Sequence, residues 1–263
     1  MRLPTTLAIM GIGIGLAVVP GTARAADEEI QVYTDDILKP HDFGLDVHTN
    51  FVGTGDLTAD YPGQQQSLHR FRVTPEFAYG LTDTIELGAY LPLADIDRTG
   101  RVGVDGVKLR VKYIASRSIG RHWYWGANFE IGRVSHKLDI NPYNAELKGI
   151  VGFASGKWTG ALNTNVDFKV SGPSSSPAEL QITAQLFYQL GRRFQIGVET
   201  YNAAGQFRSL GHFGANEHQT FAAINRSFGN WDLNLGVGSG YGTNADHLIV
   251  KAIIGVPIGH RHV

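Results

Sequence analysis

Cysteine is absent from this chain of 263 residues. That one gap removes a lipoprotein anchor, disulfide staples, thiolate metal sites and a cysteine nucleophile together. Long apolar runs are also missing. Past the first residues, nothing approaches the roughly 20 consecutive apolar residues that a membrane-spanning helix requires. Basic charge is not in excess either: 23 Lys and Arg stand against 24 Asp and Glu, which argues against a nucleic-acid partner, since that would need a basic stripe. No serine sits in a G-x-S-x-G phrase, and the histidines are scattered, so a nucleophilic hydrolase has little to build on. Ser209 with Gly211 and His212 is the nearest approach to one, and such loop residues are ordinarily plain solvent contacts.

What is present is a rhythm of two. From about His41 to Ile258, apolar and polar residues alternate in segment after segment. In the run Trp158–Val170, Trp158, Leu162, Val166, Phe168 and Val170 fall on one face, and Asn163, Asn165, Asp167 and Lys169 on the other. Side chains alternate across a strand, so each segment has one greasy and one wet face. Twelve such strands can be counted, centred on 41–53, 68–79, 84–94, 107–114, 123–134, 145–153, 158–170, 178–190, 194–201, 218–228, 231–241 and 248–258. The connections alternate as well. Tight turns such as Ser155-Gly156-Lys157 and Gly229-Asn230 follow the even strands, and longer polar loops such as 53–67, 95–106 and 202–217 follow the odd ones. Trp123, Trp125, Trp158 and Trp231 open strands just after short turns, and Tyr79, Tyr113, Phe153, Tyr188 and Phe228 close strands just before them. Amphipathic rings belong where acyl chains meet headgroups.

The amino terminus reads as an export signal: Arg2, an apolar stretch Leu7–Val19, and Ala23-Arg24-Ala25 before a cleavage point after Ala25. The expectation is therefore an all-β transmembrane antiparallel up-and-down barrel of about 12 strands in the bacterial outer membrane. Residues 1–25 form the signal, 26–40 a periplasmic segment that either stays below the barrel or tucks into its near end, and 41–263 the barrel. Short turns face the periplasm and long loops the outside.

Glu29-Ile30-Gln31-Val32-Tyr33, then Phe43-Gly44-Leu45-Asp46-Val47-His48-Thr49-Asn50, resemble a group of proteobacterial outer-membrane proteins. Thr74-Pro75-Glu76-Phe77-Ala78-Tyr79-Gly80-Leu81-Thr82-Asp83-Thr84-Ile85-Glu86-Leu87-Gly88 is similar to a recurring segment of the phenol-degradation MetA-pathway family of barrels, described as transporters. The resemblance covers the first third of the chain. It implies a barrel and an outer-membrane location, and no particular substrate.

Charge on a lipid-facing position costs about 2–4 kcal/mol for Lys or Arg at mid-membrane, so the polar set is expected to line the lumen. It comprises His48, Asn50, Arg70, Arg72, Glu76, Glu86, Tyr90, Lys108, Arg110, Lys112, Glu130, Lys148, Asp167 and Lys169. Two readings follow. In one, the wall is that of a narrow channel or uptake protein for small solutes, aromatic or anionic ones among them, with Arg70, Arg72, Lys108, Arg110 and Lys112 along one side. In the other, the charges close the interior, with Glu76 and Glu86 near Lys112, and the barrel serves structure or adhesion. A lipid hydrolase is a third, remoter reading.

No catalytic residue, cofactor or metal site is expected. Asp95-Ile96-Asp97-Arg98-Thr99-Gly100 opens like a calcium loop, but position twelve is Gly106 rather than Glu. Gly236–Gly240 lacks the helix that a phosphate loop needs. His260-Arg261-His262 reads as a basic terminus. The partners implied are outer-membrane lipid, the barrel-assembly machinery and, for a channel, a small solute.

Overall fold

The computed structural model describes residues 29–258, apart from 56, 58, 60, 117–121, 175–176, 212 and 243–244. The expected signal, His212 and the terminal His260-Arg261-His262 lie outside the described residues.

Twelve strands form one closed antiparallel barrel: β1 Phe43–Thr54, β2 Phe71–Gly80, β3 Ile85–Ile96, β4 Val102–Ile114, β5 Trp123–Val134, β6 Tyr143–Ser155, β7 Trp158–Ser171, β8 Glu179–Gly191, β9 Phe194–Gln206, β10 Glu217–Phe228, β11 Trp231–Gly242 and β12 Leu248–Pro257. Each strand pairs with its sequence neighbours, and β1 closes the ring on β12 in a register running from Gly44–Pro257 to Val52–Ile249. Closure leaves no unpaired sheet edge, which is the condition for strands to cross lipid. Among the described residues the helical content is one short 3-10 turn, Phe213–Ala215, and no helix is long and apolar enough to cross a membrane.

The two faces separate as the alternation requires. Leu162 is 43 % exposed and its neighbour Asn163 is 0 % exposed. Leu87, Leu109, Ile182 and Leu235 also point outward. The four Trp are exposed at the short-turn end and pack on the aromatics that close the neighbouring strands. Trp158 lies 4.8 Å from Tyr188, Phe228 4.4 Å from Trp231, and Trp123 5.3 Å from Phe153, centroid to centroid.

Strand boundaries depart from the sequence reading in three places. β4 begins at Val102 rather than near residue 107, because the pairing with β3 resumes beyond a bulge at Leu93 and Gly106, where φ is 151°. That bulge breaks the two-residue alternation on which the reading relied. The expected loop 95–106 thus shrinks to a tight turn organised by Asp97, whose carboxylate accepts from the Thr99 hydroxyl and from the amides of Thr99 and Arg101. Those donors, the Thr99 hydroxyl first, hold the Asp97 carboxyl well below its usual range. A carboxylate engaged in this way organises a turn rather than a calcium loop. β9 runs on to Gln206 across a register shift at Leu180/Gln181. β2 begins only at Phe71, after His69, a non-glycine residue at φ 55°.

Single-cysteine variants of this cysteine-free chain should report the two faces directly. A fluorophore at position 162 should be quenched by lipid-borne labels, and one at position 163 should not. Equal quenching at both positions would contradict the barrel's sidedness.

Candidate functional site

The chain preceding β1 does not remain below the barrel. It turns at Lys39–Asp42, where the Asp42 amide donates to the Lys39 carbonyl at 3.0 Å and His41 takes a φ of 69°. From there it runs inside the wall back to Glu29. Gly80 makes this approach feasible: a Cβ there would collide with the Lys39 carbonyl, and a Cβ on Gly44 would lie 3.2 Å from Leu38. The sequence reading left open a tuck into the near end. The segment instead reaches past mid-barrel.

A segment inside a barrel must still satisfy its backbone polar groups, and here lumen side chains take several of them. The Tyr33 amide donates to Asn163 Oδ1 at 2.7 Å, and Asn163 Nδ2 donates to the Tyr33 carbonyl at 2.9 Å. The Leu38 amide donates to Glu86 Oε2 at 2.8 Å, the Lys112 ammonium donates to the Asp36 carbonyl, and Lys251 Nζ donates to the Ile30 carbonyl at 2.8 Å. Tyr33 is the anchor. Its hydroxyl lies 2.5 Å from that of Tyr90 and donates to Glu130 Oε1 at 2.9 Å, while Lys148 Nζ sits 4.0 Å above its ring. Further in, Ile30 and Val32 pack with Ala161, Tyr201, Phe221 and Ile249, an apolar cluster inside the barrel.

Charge pairs fill the wall beside the segment. Arg110 bonds Glu76, and its Nη2 also donates to Glu86 Oε1 at 2.8 Å. Its register partner on β3 is Gly88, and a Cβ there would lie 2.5 Å from Arg110 Nε, so the side chain lies flat across β3 toward both carboxylates. His48 Nε2 lies 3.0 Å from Glu76 Oε2. Lys251 pairs with Glu199, Lys148 lies 3.0 Å from Glu146, and Lys169 pairs with Asp139.

Of the positions read as lumen-lining, His48, Asn50, Arg70, Arg72, Glu76, Glu86, Tyr90, Arg110, Lys112, Glu130 and Lys148 are buried, while Lys108, Asp167 and Lys169 are half-buried. The structure does not present the five basic residues as one open side: Arg110 is held by Glu76 and Glu86, and Lys112 by Asp36. Glu76 and Glu86 meet Arg110 rather than Lys112 as their ion-pair partner. The sequence reading missed Tyr33, Glu199 with Lys251 as a pair, and the inward apolar residues Phe187, Phe221 and Ile249. The signal for Phe221 and Ile249 was available, since inward positions on β10 and β12 carry apolar side chains, which Ile30 and Val32 cover.

The segment fills part of the lumen. Beside it lies a cavity of about 670 Å³, reaching from the short-turn residues Ser227, Asn230 and Asp232 inward to Glu199 and Lys251 and across to Asp46, Glu76 and Glu86. Amides from Gln185, Gln195, Asn225 and Asn234 line this wall, with Gln31 and Tyr33 of the segment opposite. Asn234 Nδ2 donates to Glu199 Oε1 and to Asn225 Oδ1, each at 2.8 Å, so the wall is a connected polar ladder.

No family model matches the chain, and no curated protein does. Solved structures do. An outer membrane channel from Pseudomonas putida F1 superposes with a TM-score of 0.56 at 14 % identity, covering 88 % of this chain and 100 % of that one. NanC porin gives 0.54 at 11 % identity over 82 % of this chain and 100 % of its own, and KdgM porin gives 0.52 at 12 % over 82 % and 99 %. The likeness is one of fold. It places the chain among outer-membrane β-barrels in architecture, and the MetA-pathway resemblance finds no family match beside it.

Breaking the Lys251–Glu199 pair is expected to be costly. Lys251→Met should destabilise the barrel by about 3–5 kcal/mol, because it strands a buried carboxylate. Adding Glu199→Gln should recover part of that loss. Guanidinium titrations of the single and double variants in lipid vesicles measure the coupling, and strictly additive losses would contradict the pairing.

Proposed function

We propose that the chain is an outer-membrane channel or uptake barrel for small solutes, narrowed by its own amino-terminal segment. The observation that supports this reading best is the cavity beside that segment. Its volume of about 670 Å³ falls within the ~300–1,000 Å³ of small-molecule sites. Its wall mixes polar and apolar side chains, and it is mouthed by the short-turn end. An apolar exterior with an aromatic rim and short turns on one side matches barrels whose short turns face the periplasm, so the cavity opens toward the periplasm. Passage from outside then requires the apolar cluster of Ile30, Val32, Tyr201, Phe221 and Ile249 to part. The segment is held by side chains of the wall rather than by a β-ladder, with its bonds concentrated at Tyr33.

The solute class is drawn more coarsely. Arg70 and Arg72 lie near the long-loop end among the carboxylates of Asp95, Asp105 and Asp246, so fixed charges of both signs face the passage there and no net positive patch selects anions. Glu29–Tyr33 and Thr74–Gly88 also support placing the chain with the transporter-like MetA-pathway barrels, whose association is with aromatic compounds. The amino-terminal segment inside the lumen and the Arg110–Glu76–Glu86 network on the wall favour the second reading, a barrel that does not conduct.

Single-channel conductance in planar bilayers separates the two. The native protein should conduct in small steps, and a variant lacking residues 29–38 should conduct in steps several-fold larger. A folded deletion variant without conductance would reject the channel reading and leave a structural barrel.

A further inference from the structure

β1 and β2 bring three ligand-type side chains together on the lumen wall. Asp46 and Glu76 are directly opposed in the register, and His48 stands two residues on, so the pleat turns all three to one face. One ligand atom from each can be chosen so that all lie within 4.8 Å of one another. We propose that Asp46, His48 and Glu76 form a binding site for a divalent transition-metal ion.

His48 Nε2 and Glu76 Oε2 are 3.0 Å apart and share a hydrogen bond, which an ion would replace by taking both atoms as ligands. His48 and Glu76 are 3 % and 2 % exposed, and His48 Nδ1 has no hydrogen-bond partner among the described residues, so the imidazole is held only through the nitrogen that faces the carboxylate. Glu76 is oriented from behind. Arg110 bonds its Oε1 and leaves Oε2 for the site, an outer-shell role of the kind that fixes ligating carboxylates. Asp46 has space because its β12 partner is Gly255, where a Cβ would lie 2.7 Å from Asp46 Oδ1.

Charge and access agree with this assignment. The carboxylates of Asp46, Glu76 and Glu86 face the guanidinium of Arg110 and the ammonium of Lys112, and the latter is turned to the Asp36 carbonyl. The corner therefore keeps one negative charge in excess, which favours a cation there. Asp46 and Glu76 both line the cavity that opens at the short-turn end, so an ion can reach them. One imidazole with two carboxylates suits Zn²⁺, Co²⁺ or Mn²⁺ better than Ca²⁺, whose shell is all oxygen. Such an ion would clamp β1 to β2 immediately beside Tyr90, the hydroxyl partner of Tyr33.

The test uses the full mature barrel, stripped with chelator, carrying His260→Ala and His262→Ala to remove the terminal histidines. Zn²⁺ titrated by calorimetry should bind at one ion per chain. His48→Gln and Asp46→Asn should each weaken it by more than the roughly 10–100-fold that follows loss of an outer-shell partner. Folding of each variant is verified by its heat-modifiable mobility. Should either variant fail to fold, Cu²⁺ bound to the parent protein decides the matter, because pulsed EPR should show one imidazole nitrogen environment. No Zn²⁺ uptake by the parent, wild-type affinity in both folded variants, or a Cu²⁺ site with no imidazole would overturn the proposal.

Discussion

Everything in this molecule depends on the closure of β1 onto β12. A strand in lipid has no water to satisfy its amides and carbonyls, so each must find a partner in the sheet, and an open edge would leave a column of them unpaired. The register Gly44–Pro257 through Val52–Ile249 supplies the last column. Closure with twelve strands also fixes the width of the interior. Eight strands can be filled by their own side chains, whereas sixteen leave an aqueous channel. Twelve fall between, and the remaining space must be taken by something.

Part of it is taken by the chain's own residues 29–39. They bring a problem of their own, because the segment carries backbone groups into a place with few partners. Asn163, Glu86, Lys112 and Lys251 answer it one group at a time, and Tyr33 fastens the segment through Tyr90 and Glu130. The polar wall read as lumen lining is therefore divided in function. Several of its charges hold the segment or one another, and the amide ladder of β8–β11 faces the space that is left. Glycines set where this can happen: Gly80 lets the chain enter, and Gly88 lets Arg110 lie across to two carboxylates.

The strands were legible because each has two faces in two solvents, and that difference is written as a two-residue period. Leu162 beside Asn163 shows this as plainly as any pair in the chain. Reading failed where the period is broken or absent. At Gly106 a bulge hides the start of β4. Residues 29–39 carry too few alternations to declare an extended path inside a barrel, although Ile30 and Val32 in an acidic stretch were a hint. Ion-pair partners were less legible still. Glu86 faces Lys112 in the register, yet Arg110 reaches it because Gly88 is empty, a detail of side-chain reach that spacing does not encode. His48 and Glu76 were placed on the inner face from the sequence, but their convergence with Asp46 needs the β1–β2 register.

The central claim is that residues 29–39 lie inside the barrel and are bonded there, and amide hydrogen exchange tests it most directly. In the native protein in lipid nanodiscs, the amides of Tyr33 and Leu38, which donate to Asn163 and Glu86, should exchange far more slowly than those of an unstructured peptide. They should remain protected while the loop around Gly172 exchanges. Exchange of the 29–38 peptide within seconds, at the rate of a free chain, would contradict the account.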